Sequence, residues 1–297
     1  MSSHPSRVAS LILAVATVAL WSLYGDTATG DEKANPVPTV RYPFDGEVAK
    51  KFQDDFAAAT GLPKEIAVGE MKLVLIPAGT FEMGPNGSKH RVTLAKPFYI
   101  AVTEVTLGQY RKFKPKHRIE GADDEFNEDD RPAANVSWDD ARAFSKWLSD
   151  QDDAKKVGRE FALPTEAQWE WAARAGTATT RYFGDTDKEQ AKYSWFNVTY
   201  TPNPKTETKG RGRQPVAKLA PNAWGLNDML GNVWEWCDDR RVDEATGETR
   251  ETVMRGGSLR SGAFHCTAVA HDPGSSGMKA DNIGFRVVST VTLPKTE

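Results

Sequence analysis

The segment Gly225–Cys237 (GLNDMLGNVWEWC) has the greatest chemical potential in this sequence. Asp228 and Glu235 can each supply a carboxylate, and Gly231 lets the main chain turn so that carbonyl groups point inward. Hard oxygen ligands on an irregular loop suit Ca²⁺. The segment therefore predicts either a calcium site or a loop that simply packs through its two tryptophans.

The two cysteines, Cys237 and Cys266, limit the thiol chemistry that is possible. Two thiols cannot build a four-thiolate zinc site, an iron–sulfur cluster or a disulfide-rich scaffold. His265 could activate the thiolate of its neighbour Cys266, although a buried thiol beside an exposed histidine explains the same pair. A disulfide between the two cysteines is a further alternative in an exported protein.

Ser258 ends the sequence Arg255–Ser258 (RGGS), which directly follows the strand-like residues Thr252–Met254. Its hydroxyl could donate or accept a hydrogen bond in a site. The chain contains no G-x-S-x-G segment, which argues against a serine hydrolase of the nucleophile-elbow type. None of its five histidines belongs to an H-E-x-x-H segment, so the zinc-protease motif is absent as well.

The elements that must position these groups begin with helices that have clear capping residues. Thr106 can cap a helix that runs through Phe113. Ser137 precedes two acidic residues, which favour the first turn of a helix. Thr165 and Gln168 form a capping box, in which each side chain reaches the other residue's main-chain N–H.

A further helix is predicted over Glu47–Thr60, because Val48, Phe52 and Phe56 recur every four residues and Gly61 follows. Beyond it, apolar runs and alternating polar and apolar residues predict four strands. These are Met71–Pro77, Phe81–Gly84, His90–Leu94 and Phe98–Val102.

The composition excludes some classes of protein. Hydrophobic residues make up 39% and charged residues 27%, so the chain can bury a core and is not disordered throughout. The net charge of −3 leaves no basic excess for a phosphate backbone, which argues against nucleic acid as a partner. Nine Trp and 24 Gly indicate short elements joined by long, structured loops with aromatic packing.

Residues 1–30 are typical of a secretory signal peptide, with Arg7 followed by the short apolar run Leu11–Trp21. This predicts a secreted or periplasmic protein with no membrane span after cleavage, and an uncleaved N-terminal anchor is the alternative. Residues 31–64 then form a linker and a short amphipathic helix. One domain follows over residues 65–290, and residues 291–297 form a C-terminal tail.

Seven collinear segments resemble the formylglycine-generating enzyme, or sulfatase-modifying factor, domain family. They extend from residue 71 to residue 287 and include the segments discussed above. They are Met71–Gly84 (MKLVLIPAGTFEMG), Lys96–Thr106 (KPFYIAVTEVT), Val136–Ala141 (VSWDDA), Gly158–Gly176 (GREFALPTEAQWEWAARAG), Pro221–Trp236 (PNAWGLNDMLGNVWEW), Arg255–Ser258 (RGGS) and Asn282–Val287 (NIGFRV).

The resemblance implies an α+β fold related to C-type lectins, in a single domain with little regular secondary structure. It also implies an oxidoreductase that uses O₂ and copper(I) to convert a sulfatase cysteine, within a C-x-P-x-R segment, to formylglycine. Calcium would be a structural ion at two sites. Their implied ligands are Asn197 and Val198 at the first, with an acidic partner expected near Glu207 or Thr208, and Asp228, Gly231, Val233 and Glu235 at the second.

The catalytic residues match the family only in part. Ser258 matches the family's site serine, and Cys266 matches the second of its two catalytic cysteines. Ser261 stands where the first should be, and a hard, neutral hydroxyl cannot replace a soft thiolate for copper(I). We therefore expect a binding module that takes a sulfatase-type polypeptide or another peptide, with an active formylglycine-generating oxidase as the alternative.

Overall fold

The structure, a computed structural model, describes residues 40–119, 124–156, 158–197, 212–242 and 249–291. The expected signal peptide, most of the linker and most of the C-terminal tail lie outside these ranges. Among the described residues, no helix is both long enough and apolar enough to cross a membrane.

The described residues form five α-helices. These are α1 (Gly46–Thr60), α2 (Leu107–Phe113), α3 (Trp138–Ser149), α4 (Asp152–Lys156) and α5 (Glu166–Arg174). Three short 3₁₀ helices cover Asp124–Asn127, Asp187–Lys192 and Ala263–His265.

The same part of the chain contains twelve short strands. They are β1 (Val40–Arg41), β2 (Glu65–Val68), β3 (Met71–Ile76), β4 (Gly79–Met83), β5 (His90–Leu94), β6 (Phe98–Ala101), β7 (Phe161–Ala162), β8 (Trp234–Val242), β9 (Thr249–Arg255), β10 (His271–Gly274), β11 (Ile283–Gly284) and β12 (Val288–Thr290). The four strands predicted before residue 102 are therefore confirmed, with β5 matching residue for residue.

The predicted helix starts are also confirmed. Thr106, Ser137 and Thr165 are the N-caps of α2, α3 and α5, and each forms a reciprocal capping box with the residue three positions later. The prediction for α1 was wrong in one detail: it placed Val48 on the buried face, but Val48 is 38% exposed. The buried face of α1 instead starts at Ala49, one position further along, and includes Phe52 and Phe56.

The strands form three small sheets. A five-stranded antiparallel sheet has the order β2-β3-β6-β12-β7, so a strand near residue 290 pairs with one near residue 100. A four-stranded sheet has the order β10-β9-β8-β11, and a three-stranded sheet has the order β1-β4-β5. The site described below lies around β8 and β9, in the loop that precedes β8 and the loop that follows β9.

The inner strands of the five-stranded sheet are buried on both faces, as β3 shows. Leu73 and Leu75 belong to one cluster of buried side chains, which includes Phe144 and Trp236. Their neighbours Val74 and Ile76 belong to the other, which includes Trp169, Trp171 and Trp224. Because successive side chains of a strand point to opposite faces, this strand is apolar without alternation. The tryptophan excess thus belongs to the core.

Asp140, in the first turn of α3, connects this helix to the rest of the fold. It accepts hydrogen bonds from Lys114, Lys279 and the main-chain N–H of Ser137. Burial alone would raise the pKa of Asp140, but the two lysines and Ser137 outweigh burial and hold this pKa well below its usual value. The ionised carboxylate therefore stabilises the folded state.

We expect Asp140→Asn to lower the free energy of unfolding by about 1 kcal/mol at neutral pH, because asparagine keeps the cap but loses both lysines. A lowered folded-state pKa contributes stability above the unfolded value of about 4, and this contribution is lost as the pH falls through the folded-state pKa. Urea unfolding between pH 7 and pH 2 should therefore show the two proteins converging. Asp139→Asn, on the exposed side of the same turn, is the matched control, and an equal loss in both variants would contradict the assignment.

Candidate functional site

Ser258 and Ser261 lie together on the loop that follows β9. The main-chain N–H of Ser258 donates to the Ser261 Oγ at 3.0 Å, and the N–H of Ser261 donates to the Ser258 carbonyl at 2.9 Å. The two hydroxyl oxygens are 3.2 Å apart. Asn282 Nδ2 donates to the Ser258 Oγ at 3.1 Å. Both hydroxyls are therefore held inside a compact hydrogen-bonded turn.

Cys266 packs against the same loop. Its side chain is fully buried, and its Sγ lies 3.7 Å from the carbonyl oxygen of Ser258. Burial raises the pKa of this thiol to about 12. At neutral pH the group is therefore an uncharged thiol and a poor nucleophile.

The structure separates His265 from the thiol that it was considered to activate. His265 is exposed, and the centroid of its ring lies 4.2 Å from that of Phe264, whereas the Cys266 side chain is buried in the core. The interpretation as a buried thiol beside an exposed histidine is the one that the geometry supports. The disulfide alternative is not formed, because Cys237 and Cys266 are both free and buried.

Asp228 and Glu235, the predicted carboxylates, are both buried and lie on either side of a tight loop. Asp228 has a positive φ of 55°, and its Oδ2 accepts the main-chain N–H of Ala217 at 2.7 Å. Its Oδ1 is buried without a partner. Burial is the largest cause that raises the pKa of Asp228, to about 6.

Glu235, by contrast, is fully engaged. Arg286 donates from Nε to Oε2 at 2.6 Å and from Nη2 to Oε1 at 2.7 Å. Trp169 Nε1 also donates to Oε2 at 2.7 Å. A bidentate guanidinium pair of this kind is among the strongest hydrogen-bonded arrangements in proteins.

Glu104 is the buried acid that the sequence analysis did not single out. It is 0% exposed, and neither of its carboxylate oxygens has a hydrogen-bond partner. Burial raises the pKa of Glu104 well above its usual value, and the charges of Asp228 and Glu235 raise it further. The sequence did offer one indication of this residue, because an acid follows shortly after an apolar strand in the segment Lys96–Thr106.

The two predicted carboxylate ligands of calcium therefore differ in whether they have an oxygen free to bind an ion. The unpartnered Asp228 Oδ1 suits a hard cation, whereas both oxygens of Glu235 already serve Arg286 and Trp169. Within the described ranges, no group of three or more His, Cys, Asp or Glu side chains could hold a metal ion. Carbonyl groups such as those of Gly231 and Val233 would have to complete any site.

The first predicted calcium site can be located only at one residue. The main-chain N–H of Asn197 donates to the carbonyl of Ser261 at 2.9 Å, so Asn197 lies beside the serine turn. Val198 and the acidic partner expected near residues 207 and 208 lie outside the described residues.

The fold is the C-type lectin-like fold of formylglycine-generating-enzyme domains. Residues 59–291 match the model of the sulfatase-modifying factor enzyme 1-like domain, and the chain belongs to this family. Among solved structures it is similar to Treponema denticola variable protein 1, with a TM-score of 0.61 and 26% identity over 77% of this chain and 99% of that one.

Two curated relatives show the range of the family. The formylglycine-generating enzyme of Streptomyces coelicolor is 32% identical in an alignment 197 residues long, which covers 59% of this chain and 58% of that protein. The inactive Cα-formylglycine-generating enzyme 2 of Bos taurus is 32% identical in an alignment 175 residues long, which covers 56% of this chain and 52% of that protein. The chain thus spans about half the length of the curated relatives it matches.

Proposed function

We propose that this protein is an exported, calcium-stabilised member of the family that binds a peptide and does not form formylglycine with copper. The observation that carries the proposal is Ser261, whose hydroxyl is tied to Ser258 where the resemblance places a thiolate. Copper(I) is a soft ion that requires thiolate ligands. The remaining thiol, Cys266, is buried and protonated.

The peptide-binding part of the proposal is supported by the surface beside the serine turn. Phe264 is 64% exposed, and the ring of His265 packs against it. An exposed aromatic side chain is a common anchor for a peptide. The partner that we propose is a sulfatase-type polypeptide or another peptide. The similarity to an enzyme named as inactive is compatible with this role.

The alternative is an active oxidase that converts a sulfatase cysteine to formylglycine. The similarity to the Streptomyces coelicolor enzyme and the presence of Cys266 favour it. Incubation of the purified protein with copper(I), O₂ and a C-x-P-x-R peptide distinguishes the two. We expect mass spectrometry to show no formylglycine, and turnover would establish the oxidase instead.

The Ser261→Cys variant tests whether the missing thiolate is the cause. We expect its affinity for copper(I) to rise by more than about tenfold, because two thiols then face one ion. Ser261→Ala and the double variant Ser261→Cys/Cys266→Ser are the controls, and neither should gain copper affinity in a competition assay with a chromogenic chelator. If Ser261→Cys gained no copper affinity, the match of Ser261 to the family's first catalytic cysteine would be wrong.

A further inference from the structure

The strand β5 (His90–Leu94) is an edge of the three-stranded sheet β1-β4-β5. All five of its residues pair with β4, and none of its side chains is fully buried. No main-chain hydrogen bond joins β5 to any other part of the chain that the structure describes. In an antiparallel pair, the outer strand directs alternate N–H and C=O groups away from its partner. The outer side of β5 therefore presents main-chain donors and acceptors that a further strand can use.

The other sheet edges among the described residues are less suited to accept a strand. The edge strands β1, β7 and β11 have two residues each, and β10 contains Pro273. Short edge strands and proline are two ways in which proteins prevent strand pairing. The remaining edge strand, β2, has four residues, one of them buried. β5 is longer than all of these and contains no proline.

Basic side chains surround the edge of β5. Lys89 precedes the strand, His90 and Arg91 begin it, and Lys96 follows it by two residues. Arg91 lies directly across the β4–β5 pair from Glu82, but among the described residues it forms no ion pair. Two copies of β5 would bring like charges together, so these residues oppose pairing of the chain with itself. They favour an incoming strand that carries acidic side chains.

One face of β5 borders a cavity of about 440 Å³. His90 and Val92 line this cavity, whereas Arg91, which lies between them, does not. Side chains along a strand alternate between its two faces, so Arg91 lies on the opposite face. A strand added beside β5 would alternate in the same way. Every second residue of that strand would therefore lie on the side of the cavity, and the others on the side of Arg91.

The cavity is unfavourable for acidic side chains. Its lining includes the carboxylates of Glu166 and Asp239, from α5 and β8. The guanidinium of Arg255 also lines it, but this group already pairs with Glu166 and Glu170. An incoming carboxylate would be repelled there, whereas a neutral side chain would not. On the opposite face Arg91 would attract a carboxylate, because opposite charges on neighbouring strands stabilise each other.

We propose that the outer edge of β5 binds an extended acidic segment of a partner protein as an added strand. The acidic side chains of this segment lie on the face of Arg91, and its neutral side chains lie on the face of the cavity. Main-chain hydrogen bonds supply the affinity, and the alternation of side chains supplies the specificity. No residue of β5 belongs to the serine turn, so this is a second binding surface, beyond the one in the proposed function.

The test measures the binding of a labelled peptide to the full chain by fluorescence polarisation. The probe is the peptide TEVEVET with blocked ends, in which acidic and neutral residues alternate. One control peptide, TVVEEET, has the same composition without the alternation. A second carries N-methyl groups on the three central residues of TEVEVET, which removes their main-chain donors. The protein variants are Arg91→Glu and, as the matched control, Lys50→Glu, which reverses one charge at an exposed position of α1.

We expect TEVEVET to bind equally well to the unmodified protein and to Lys50→Glu. Arg91→Glu should weaken binding about tenfold, because an attractive cross-strand pair becomes a repulsive one. Both control peptides should bind the unmodified protein at least about tenfold more weakly than TEVEVET, because one loses the alternation and the other loses main-chain hydrogen bonds. Bound TEVEVET should slow hydrogen–deuterium exchange in residues 90–94 and leave residues 258–266 unchanged.

Four results would overturn the proposal. If TEVEVET does not bind, or if its N-methylated form binds equally well, no strand is added to β5. If exchange slows only in residues 258–266 and Phe264→Ala, but not Arg91→Glu, weakens binding, the peptide occupies the site of the proposed function, which then stands without this surface. If light scattering shows a dimer whose β5 is protected without peptide, a second copy occupies the edge. None of these results affects the copper experiments.

Discussion

Arg286→Met is expected to lower the free energy of unfolding by about 3–5 kcal/mol when it is measured in EDTA, because it breaks a fully buried ion pair from one side. Glu235 would keep only the indole N–H of Trp169. Glu104 and Asp228 would lose the nearby positive charge of Arg286, which lowers the pKa of both. Since whole domains are stable by only about 5–15 kcal/mol, denaturant unfolding should show a large fall in the transition midpoint.

Two further variants show whether the loss comes from the guanidinium pair. Arg286→Lys keeps the charge but cannot make the two-pronged contact, so we expect a smaller loss. Asp281→Asn removes an exposed ion pair with Arg260 and should change the stability by less than about 1 kcal/mol. If Arg286→Met were as mild as Asp281→Asn, the pair at Glu235 would not be holding this part of the fold together.

Gly231→Ala is the second substitution for which we expect a large effect. Gly231 has a φ of 87°, and a Cβ atom there would lie 2.1 Å from the carbonyl oxygen of Trp195. The positive φ costs an alanine about 1–2 kcal/mol, and relief of the clash adds about 1–3 kcal/mol. Together we expect a loss of about 3 kcal/mol in the free energy of unfolding, measured by urea titration.

Gly225→Ala is the matched control for this position. Gly225 has a similar φ of 81°, but nothing lies within 4 Å of its would-be Cβ. It should lose only the backbone contribution, about 1–2 kcal/mol. The difference between the two variants therefore measures the close approach of the Asp228–Glu235 loop to Trp195. Equal losses would mean that the loop can move away from that carbonyl at no cost.

Local patterns were sufficient to predict four of the five α-helices and the strands β3 to β6, but not α4, β8 or the short strands after it. Capping residues such as Ser137 and Thr165 satisfy main-chain groups within three or four residues, so their effect can be read from neighbouring sequence. The error at Val48 arose because four-residue spacing alone does not fix which face of α1 meets the core. That choice depends on what β3 and the surrounding loops present to the helix.

The candidate site residues divide in the same way. Asp228, Ser258, Ser261 and Cys266 were found from the sequence, because they lie in short segments with distinctive neighbours. Their chemical states were not. Burial makes Cys266 a protonated thiol, and a guanidinium 51 positions away engages Glu235. Both facts depend on distant parts of the chain that meet only after folding.

Contiguous residues are enough to identify the family of this protein and its short capped helices, and by resemblance alone they place Ser261 where the family has a thiolate. The tertiary structure is needed to show that Glu104 is buried without a hydrogen-bond partner while Glu235 pairs with Arg286. Solvation and charge compensation inside a protein depend on which groups share a small volume, and that volume is enclosed by segments more than a hundred residues apart.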